Sequence, residues 1–340
     1  MSVTIKNVAQ EAKVSITTVS RVLNNNNAVK QETRERIEKA IVKLNYKPNI
    51  IARALTSKKS FMIGIIVPGI TNLFFSTMVD AIEKSIKESG YFISLCITEG
   101  DLKEEKMLVE KMIDRQVDGI IVLVPAVEYL IDGFYEDISK RLPTVVISSV
   151  LDRYKCNFIS YDEEVGTRDA LQHLIDLGHK KIAFVRGYRS YSYDLKENIY
   201  REMLKSNNLN YEVILNVGKA NDVTVVERSQ LKLEELLKQS DRPTAVFASN
   251  DLMAIGAINA CNKLLLTIPN DVSIVGFDNT LLAQISHPKL TSVDQNISEL
   301  GYKAAQELLY IMENGIQNNK RIILDTTLVI RESSSNATVT

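Results

Sequence analysis

Residues 14–24, VSITTVSRVLN, alternate small hydroxylated side chains with apolar ones and contain a single cation, Arg21. Three apolar residues have the i, i+3, i+4 spacing that predicts one buried stripe of a helix, namely Val19, Val22 and Leu23. The edge beside this stripe carries Ile16, Thr17, Ser20 and Arg21. Such an edge could read base pairs, because Arg can hold guanine with two hydrogen bonds and Thr and Ile can contact thymine methyl groups. It could equally be the solvated face of an inert helix.

Two neighbouring segments would hold this helix in place. TIKNVAQEA (4–12) opens like a short helix with Thr4 as its N-cap, and Ser15 can cap the second helix by accepting a backbone N–H. A third helix is predicted from one apolar face formed by Ile37, Ala40, Ile41 and Leu44. Two short helices joined by a tight turn, with a third across them, predict a helix-turn-helix unit.

The charge of the chain is divided unevenly. Residues 1–60 hold 12 Lys and Arg against 4 Asp and Glu, a balance of +8, whereas the remaining residues carry −9 and the whole chain −1. A basic end on an acidic body predicts a separate module for a polyanion, and nucleic acid suits a helix-turn-helix unit. The content of 45% hydrophobic and 24% charged residues is that of an ordinary globular protein with two or three domains.

The segment PNIIARALTSKKS (48–60) follows this unit. Pro48 and Asn49 suit the start of a helix, but its apolar residues are too few to form a core. A short apolar helix before a Ser-Lys-Lys-Ser run is typical of a hinge that orders on DNA and inserts an apolar wedge into the minor groove. A plain linker packed on the next domain is the alternative.

The runs TIKNVAQEAKVSITTVSRVLN and ETRERIEKAIVKLNYKPNIIARAL together resemble the DNA-binding domain of the lactose/galactose repressor (LacI/GalR) family of bacterial transcriptional regulators. By this resemblance, Ile16 and Thr17 face base edges, and Arg21 reaches a base or a phosphate. Leu55 is the minor-groove wedge. The resemblance implies further DNA contacts, several of them suited to phosphates, which position the protein rather than specify sequence. These are Thr4, Ser15, Thr18, Ser20, Asn24, Asn49 and Arg53.

Two departures from the family pattern affect operator preference. Lys13 stands at the turn position where the family usually has Gly, so a residue with a Cβ would have to adopt a left-handed backbone. The polar run 24–27, with Lys30 where a capping Ser is common, makes the second loop unusual.

From residue 61 onwards, apolar runs alternate with amphipathic segments. Buried strands are predicted at FMIGIIV, YFISLCI, DGIIVLV, PTVVIS, KIAFV, TAVFAS and VSIVGF, and helices at 75–89, 103–115, 163–177 and 251–264. This alternation predicts an α/β core of parallel, doubly wound sheets covered on both faces. The region is too long for one compact sheet, so two lobes are expected, with a ligand bound beyond the carboxyl ends of the strands.

The motifs GIIVPGITNLFFS, FASNDLMAIGAINA and DVSIVGFDN resemble the effector-binding core of the same family, which is similar to the periplasmic sugar-binding proteins. The implied domains are a helix-turn-helix headpiece at 1–47, a hinge helix and linker at 48–60, and an effector-binding and dimerisation core at 61–332. Within the core, the first lobe would comprise about 61–161 and 293–323, and the second about 162–292 and 324–332. Residues 333–340 are expected to form a loose tail.

Ten residues at strand ends match the family's ligand positions and form the predicted effector site: Asn72, Phe74, Ser148, Arg186, Lys196, Asn250, Asp251, Phe277, Asp278 and Gln295. Asp251 is the main candidate, because it follows the strand TAVFAS directly and a carboxylate can accept two hydroxyl hydrogen bonds from a sugar. Capping the next helix is its alternative role. Phe74 could stack on a sugar or belong to the core. The cations Arg186 and Lys196 favour a phosphorylated or carboxylated effector, or are a solvated face.

Catalysis is not predicted. His173, His179 and His287 lie far apart without metal-ligand spacing, and no phosphate loop, nucleophile elbow or dinucleotide fingerprint is present, so neither a metal nor a cofactor is expected. The three widely spaced cysteines are predicted to be reduced thiols. A cytoplasmic location is expected, because the sequence begins without the apolar run of a signal peptide and holds no run long enough to span a membrane.

These features predict a repressor of carbohydrate-utilisation genes that binds operator DNA as a homodimer. A sugar or sugar phosphate between the lobes would control it allosterically. Dimer contacts are expected near 73–88, 103–115 and 251–287. A sugar-binding transport or chemosensory protein is the alternative from another class. Within the family, a phosphocarrier protein docking on the first lobe is an alternative corepressor.

Overall fold

The chain folds as two units, Met1–Phe61 and Met62–Thr340. The computed structural model describes residues 3–23, 29–46, 59–149, 155–188, 190–219, 221–315 and 319–337. The first unit contains the three predicted helices, α1 (Ile5–Glu11), α2 (Ile16–Leu23) and α3 (Gln31–Lys43). One fully buried residue from each helix, Val8, Val19 and Ile37, meets the others in a small core. The headpiece fold predicted from the apolar stripes is therefore confirmed.

The second unit begins with a lobe built on a six-stranded sheet in the order β11-β5-β4-β3-β1-β2. All its adjacent strands are parallel. Its strands are β1 (Met62–Val67), β2 (Phe92–Ile97), β3 (Gly119–Leu123), β4 (Thr144–Ile147), β5 (Asn157–Tyr161) and β11 (Arg321–Leu324). Its helices are α4 (Leu73–Glu88), α5 (Leu102–Asp114), α6 (Val127–Ile131), α7 (Phe134–Ser139) and α13 (Ile297–Asn314).

The second lobe repeats this arrangement with a sheet in the order β12-β10-β9-β8-β6-β7. Its strands are β6 (Lys181–Arg186), β7 (Tyr211–Asn216), β8 (Ala245–Ala248), β9 (Ser273–Asp278), β10 (Thr291–Asp294) and β12 (Thr327–Val329). Its helices are α8 (Glu163–Asp176), α9 (Tyr191–Ser206), α10 (Val225–Leu237), α11 (Asp251–Lys263) and α12 (Leu281–Ile285). Only β12 is antiparallel among the described strands of this sheet, so the expectation of parallel pairing holds for the rest.

Each sheet is covered on both faces, which explains why its central strands are continuous apolar runs. In the first lobe, α4 and α13 pack together over one face. They approach closely because α13 has a glycine at Gly301, where a Cβ would lie 2.6 Å from the carbonyl oxygen of Met78. Polar side chains at strand ends start the helices: Asn72 accepts a hydrogen bond from the backbone N–H of Phe74, and Asp101 accepts from Lys103 and Glu104.

Three predicted boundaries are wrong, one of them by a single residue, because Leu324 was expected in the second lobe but pairs with Tyr161 in the first sheet. Residues 293 and 294 were expected in the first lobe, but β10 pairs with β9 and therefore belongs to the second sheet. Residues 333–340 were expected to be loose, but Ser333 is fully buried and its hydroxyl donates to the carbonyl of Ile274 at 2.5 Å. We call the C-terminal segment 333–337 the strap. It also contacts two histidines, one in the last turn of α8 and one just after this helix. The His173 ring lies 2.9 Å from the Ser334 hydroxyl, and the His179 ring lies 3.0 Å from the Ser335 carbonyl.

The seven predicted strands and four predicted core helices are all present, with helix ends displaced by at most two residues. Strands β5, β7, β10, β11 and β12 were not predicted, because their sequences are short or mixed in polarity. None of the described helices combines the length and the hydropathy needed to cross a lipid bilayer.

Candidate functional sites

Helix α2 presents its hydroxylated edge to solvent, as its sequence predicts. The turn before it has Lys13 at a φ of +53°, so this lysine does adopt the left-handed backbone expected of the glycine position. The Ser15 hydroxyl oxygen accepts a hydrogen bond from the Thr18 backbone N–H at 3.1 Å and caps the helix. Val19 and Val22 are buried on the inner side, whereas Ile16 remains 43% exposed although it is apolar.

The other side chains predicted to contact DNA differ in their exposure and in the bonds that they already form. Thr17 and Arg21 are exposed, and within the described part of the chain Arg21 has no ion-pair partner. The Thr18 hydroxyl is 2.8 Å from that of Ser15, and Thr4 bonds the Asn7 side chain, so these two hydroxyls are already engaged. Ser20 is half-buried. The other predicted DNA contacts, Asn24, Asn49, Arg53 and Leu55, lie outside the described residues, as does most of the predicted hinge at 48–60.

The second unit contains a narrow crevice between its two lobes, at the carboxyl ends of the strands. Six of the ten predicted effector residues line it, namely Asn72, Phe74, Lys196, Asn250, Asp278 and Gln295. Nine further residues that the sequence did not suggest also line it: Phe75, Val124, Tyr161, Glu163, Ser190, Ser192, Tyr193, Asn221 and Ser249. A ligand in this crevice would touch both lobes.

The first lobe supplies an aromatic wall to the crevice. Phe74 stands in the first turn of α4 and meets Phe75 edge-on, with ring centroids 5.1 Å apart. Its ring centroid lies 6.0 Å from that of Tyr161, which ends β5. Phe74 is only 5% exposed, so it serves the first-lobe core while its edge borders the crevice. The core role of Phe74 is therefore confirmed, and its stacking on a ligand stays a prediction.

The second lobe supplies a charged wall centred on a buried ion pair. The Lys196 ammonium on α9 lies 2.7 Å from Glu163 Oε1 at the start of α8, and the two side chains are 3% and 2% exposed. Lys196 also donates to the Ser192 hydroxyl and to the Ser249 carbonyl, both at 3.2 Å. Its Nζ lies 3.8 Å from the centroid of the Phe277 ring, a cation–π distance. Phe277 is thus placed beneath the ammonium and does not line the crevice.

Asp278 and Gln295 meet on the same wall. The Gln295 amide donates to Asp278 Oδ1 at 2.5 Å, and the Asp278 backbone has a φ of +107°, in the region that favours glycine. Burial, followed by the nearby Asp251 carboxylate, raises the pKa of Asp278 well above its usual range. Asp278 is therefore a buried carboxyl held at the crevice in a strained backbone.

Asp251 does not line the crevice, so its prediction as the main hydroxyl ligand is wrong. Its Oδ2 accepts from the backbone N–H and hydroxyl of Thr280 at 2.7 and 2.8 Å, and its Oδ1 accepts from Ser292 at 2.6 Å. Burial raises its pKa to about 6. The carboxylate ties α11 to the loop after β9, while Asn250 caps α11 by accepting from the Met253 N–H.

Arg186 is also placed differently from the prediction. Its guanidinium donates to Asp194 at 2.5 Å and to Glu197, both on α9, so the cation is neutralised outside the crevice. Ser148 likewise does not line the crevice. The pair of free cations expected for an anionic effector is therefore not formed, because both lysine and arginine have carboxylate partners. In the described parts of the chain, no group of three acidic, histidine or cysteine side chains could hold a metal ion.

Glu163 is the most important residue that sequence reasoning missed. It follows Tyr161 and Asp162 at the end of β5, and a strand end is where the other ligand positions were found. Because β5 was not predicted as a strand, no ligand position was expected at its carboxyl end. The signal that could have identified it is the short run NFISY, in which Phe158, Ile159 and Tyr161 favour a strand although Asn157 and Ser160 are polar.

Both units match known families. Residues 4–49 match the family of bacterial regulatory proteins called the lacI family, and residues 171–334 match a periplasmic binding protein-like domain. The chain is 34% identical over 343 residues to catabolite control protein A of Priestia megaterium, covering 98% of this chain and 100% of the relative.

Solved structures agree with this. The lac repressor dimer bound to operator and the anti-inducer ONPF superposes with a TM-score of 0.86 at 28% identity, covering 98% of this chain and 100% of that one. A complex of the transcriptional regulator CelR with cellobiose has a TM-score of 0.69 at 26% identity, covering 97% and 99%. These proteins are regulators rather than enzymes, in agreement with the sequence. The chain therefore belongs to the lacI family of bacterial regulatory proteins and is a DNA-binding regulator of transcription.

Proposed function

We propose that this regulator is a repressor of carbohydrate-utilisation genes whose operator affinity is set by a small hydroxylated molecule in the crevice. The carrying observation is that side chains of both lobes line one crevice, with an aromatic wall opposite a polar one. Such a pairing suits a sugar, whose faces are apolar and whose edges are hydroxyls. The CelR–cellobiose complex supports the same class of ligand.

On the DNA side, Ile16, Thr17 and Arg21 form the reading edge of α2. Their exposure supports this role, since Ile16 is kept in solvent at the start of the helix and Arg21 is exposed. Ser15, Thr18, Ser20 and Thr4 would contact phosphates, and Asn24, Asn49 and Arg53 would extend those contacts. Two headpieces are needed for a near-palindromic operator, with Leu55 from each hinge inserted in the minor groove.

The coupling between the sites would run through the arrangement of the lobes. A ligand that bridges Phe74 on the first lobe and Lys196 on the second can favour one inter-lobe angle, and a shift of the first lobes in a dimer would order or release the hinges. The dimer surface would include exposed apolar residues within the expected segments. Leu281 and Ile285 on α12 are 58% and 65% exposed.

Selection from a randomised double-stranded DNA library, followed by fluorescence anisotropy, tests the DNA role. The selected site should be near-palindromic. Arg21→Ala should raise its Kd about 5- to 150-fold, equivalent to the ~1–3 kcal/mol of a base contact. Lys140→Ala removes the same charge from an exposed site of the second unit, outside the expected dimer segments, and should leave the Kd unchanged. DNA binding that survives deletion of residues 1–60 would refute the proposal.

A phosphocarrier protein bound to the first lobe remains a prediction. Pull-down of purified phosphorylated and unphosphorylated carrier with the full chain would decide it. Binding of the carrier, together with no response of operator affinity to any crevice ligand, would make the carrier the regulator in place of the sugar.

A further inference from the structure

The cations near the crevice are already neutralised. Lys196 is bonded to Glu163, Ser192 and the Ser249 carbonyl, and Arg186 is bonded to Asp194 and Glu197. A phosphate or carboxylate on a ligand would have to compete with these buried carboxylates for the same ammonium. An anionic effector is therefore disfavoured by the geometry of this wall.

Two buried acceptor atoms, by contrast, are unused. Within the described residues, Glu163 Oε2 and Gln295 Oε1 have no hydrogen-bond partner, although both side chains are only about 2% exposed. Both residues line the crevice. A buried acceptor without a donor is costly, and a charged acceptor more so. These atoms therefore favour a crevice ligand that carries N–H or O–H donors.

The charge of the wall indicates which donor fits best. Two carboxyl groups, those of Glu163 and Asp278, line the crevice against one ammonium, that of Lys196. Burial, followed by the Asp251 carboxylate, raises the pKa of Asp278 well above its usual range, and the Lys196 ammonium offsets these effects only in part. A positive ligand group in this poorly solvated space would interact favourably with the Glu163 carboxylate and would favour the ionised form of Asp278, since Coulomb interactions strengthen as the local dielectric constant falls.

The remaining lining suits a hydroxylated body. Asn72, Asn250 and Ser192 offer polar groups, while Phe74 and Tyr161 offer aromatic surface for an apolar ring face. We propose that the effector is an amine-bearing polyol of the amino sugar class, whose ammonium donates to Glu163 Oε2 and Gln295 Oε1. This inference rests on the proposed effector site and specifies its ligand.

Titration calorimetry of the full chain with matched ligands tests the assignment of an amine to the effector. Three parent sugars (glucose, galactose and mannose) are each compared with their 2-amino derivative and their 6-phosphate. The best amino sugar should bind at least tenfold more tightly than its parent, and the phosphates should not bind more tightly than the parents. Tighter binding of a phosphate, equal binding of amine and parent, or no binding of any amino sugar would each overturn the amine assignment.

Three variants distinguish an error in the amine assignment from an error in the location of the effector site. Glu163→Gln should abolish the preference for the amine while the parent sugar still binds, and Gln295→Leu, which leaves the ion pair intact, should reduce that preference. Phe74→Leu should weaken the amine and its parent by a similar factor. If a neutral sugar or phosphate binds best and Phe74→Leu weakens it, the crevice remains the effector site and only the amine assignment is wrong. If ligand binding is indifferent to all three variants, the proposed site is also wrong.

Discussion

The two walls of the crevice are built by different physical means. The first-lobe wall is formed mainly by Phe74, Phe75, Val124 and Tyr161, whose side chains belong to the hydrophobic core behind them or pack against it. The second-lobe wall is formed around the buried Glu163–Lys196 ion pair, in which Lys196 also donates to a backbone carbonyl, and around the buried Asp278 carboxyl. One wall is stable without a ligand, whereas the other keeps acceptor atoms unsatisfied.

The two walls should therefore recognise different properties of a ligand: the first-lobe wall its shape, and the second-lobe wall its chemical groups. An aromatic surface accepts the apolar face of many rings, because stacking depends on area and contact rather than on donor direction. A buried, hydrogen-bonded charge rejects ligands that lack the matching group, since the unmatched group stays desolvated and unpaired. Selectivity should therefore be located in the second lobe, and general affinity should be shared with the first.

The largest effect should come from breaking the ion pair. Lys196→Met leaves the Glu163 carboxylate buried without its cation and should lower the free energy of unfolding by about 3–5 kcal/mol, measured by urea denaturation with circular dichroism. The double variant Glu163→Gln, Lys196→Met should recover most of this loss. Lys140→Met, which breaks the exposed pair with Asp137, should leave the transition midpoint unchanged. A midpoint unaffected by Lys196→Met would contradict the charged-wall description.

A smaller effect should come from the aromatic wall. Phe74→Leu removes part of a buried ring and should cost about 1–2 kcal/mol of unfolding free energy. The same change on the exposed edge strand, Phe92→Leu, is the matched control and should be neutral, because Phe92 is 65% exposed. A change in the ranking of neutral, amino and phosphorylated sugars caused by Phe74→Leu would show that this wall also sets selectivity.

The smallest effect should come from Asp278→Asn and should depend on pH. A carboxyl whose pKa is raised on folding stabilises the fold fully below its unfolded pKa, and this contribution is lost as pH rises through the folded pKa. The neutral amide can still accept from Gln295. The melting temperature of the variant relative to the original chain should therefore increase between pH 4.5 and pH 8. If the melting temperature of the variant exceeded that of the original chain most at pH 4.5, folding would lower the pKa of Asp278 instead of raising it.

Local sequence was sufficient for α2 but not for the charged wall. The cap at Ser15 and the stripe through Val19 and Val22 involve residues within one or two turns, so their spacing determines which edge is exposed. Asp251 is occupied by Thr280 and Ser292, which are 29 and 41 residues away, and no local pattern reveals such partners. Strand ends were still a useful guide, because parallel strands bring their carboxyl ends together regardless of side-chain pairing.

The C-terminal strap shows a related limit. Its run of serines has the composition of an unstructured tail, and its order depends on acceptors and donors in β9, β10 and the α8 end. Hydroxyl groups that satisfy buried backbone atoms cannot be distinguished from solvated ones by composition. Composition also did not show that Arg186 is paired. Its carboxylate partners, Asp194 and Glu197, lie on the next helix, α9, so Arg186 was expected to be free in the crevice.

The position of β11 and β12 near the end of the sequence affects how the chain matures during synthesis. Each lobe takes an edge strand from residues 321–329, and the second also takes the strap at 333–337. A nascent chain that has left the ribosome only as far as residue 320 therefore has unpaired edges on β5 and β10 at once. The helices of the headpiece, within residues 3–46, are complete much earlier. Translation thus delivers the DNA-binding unit well before the unit that regulates it.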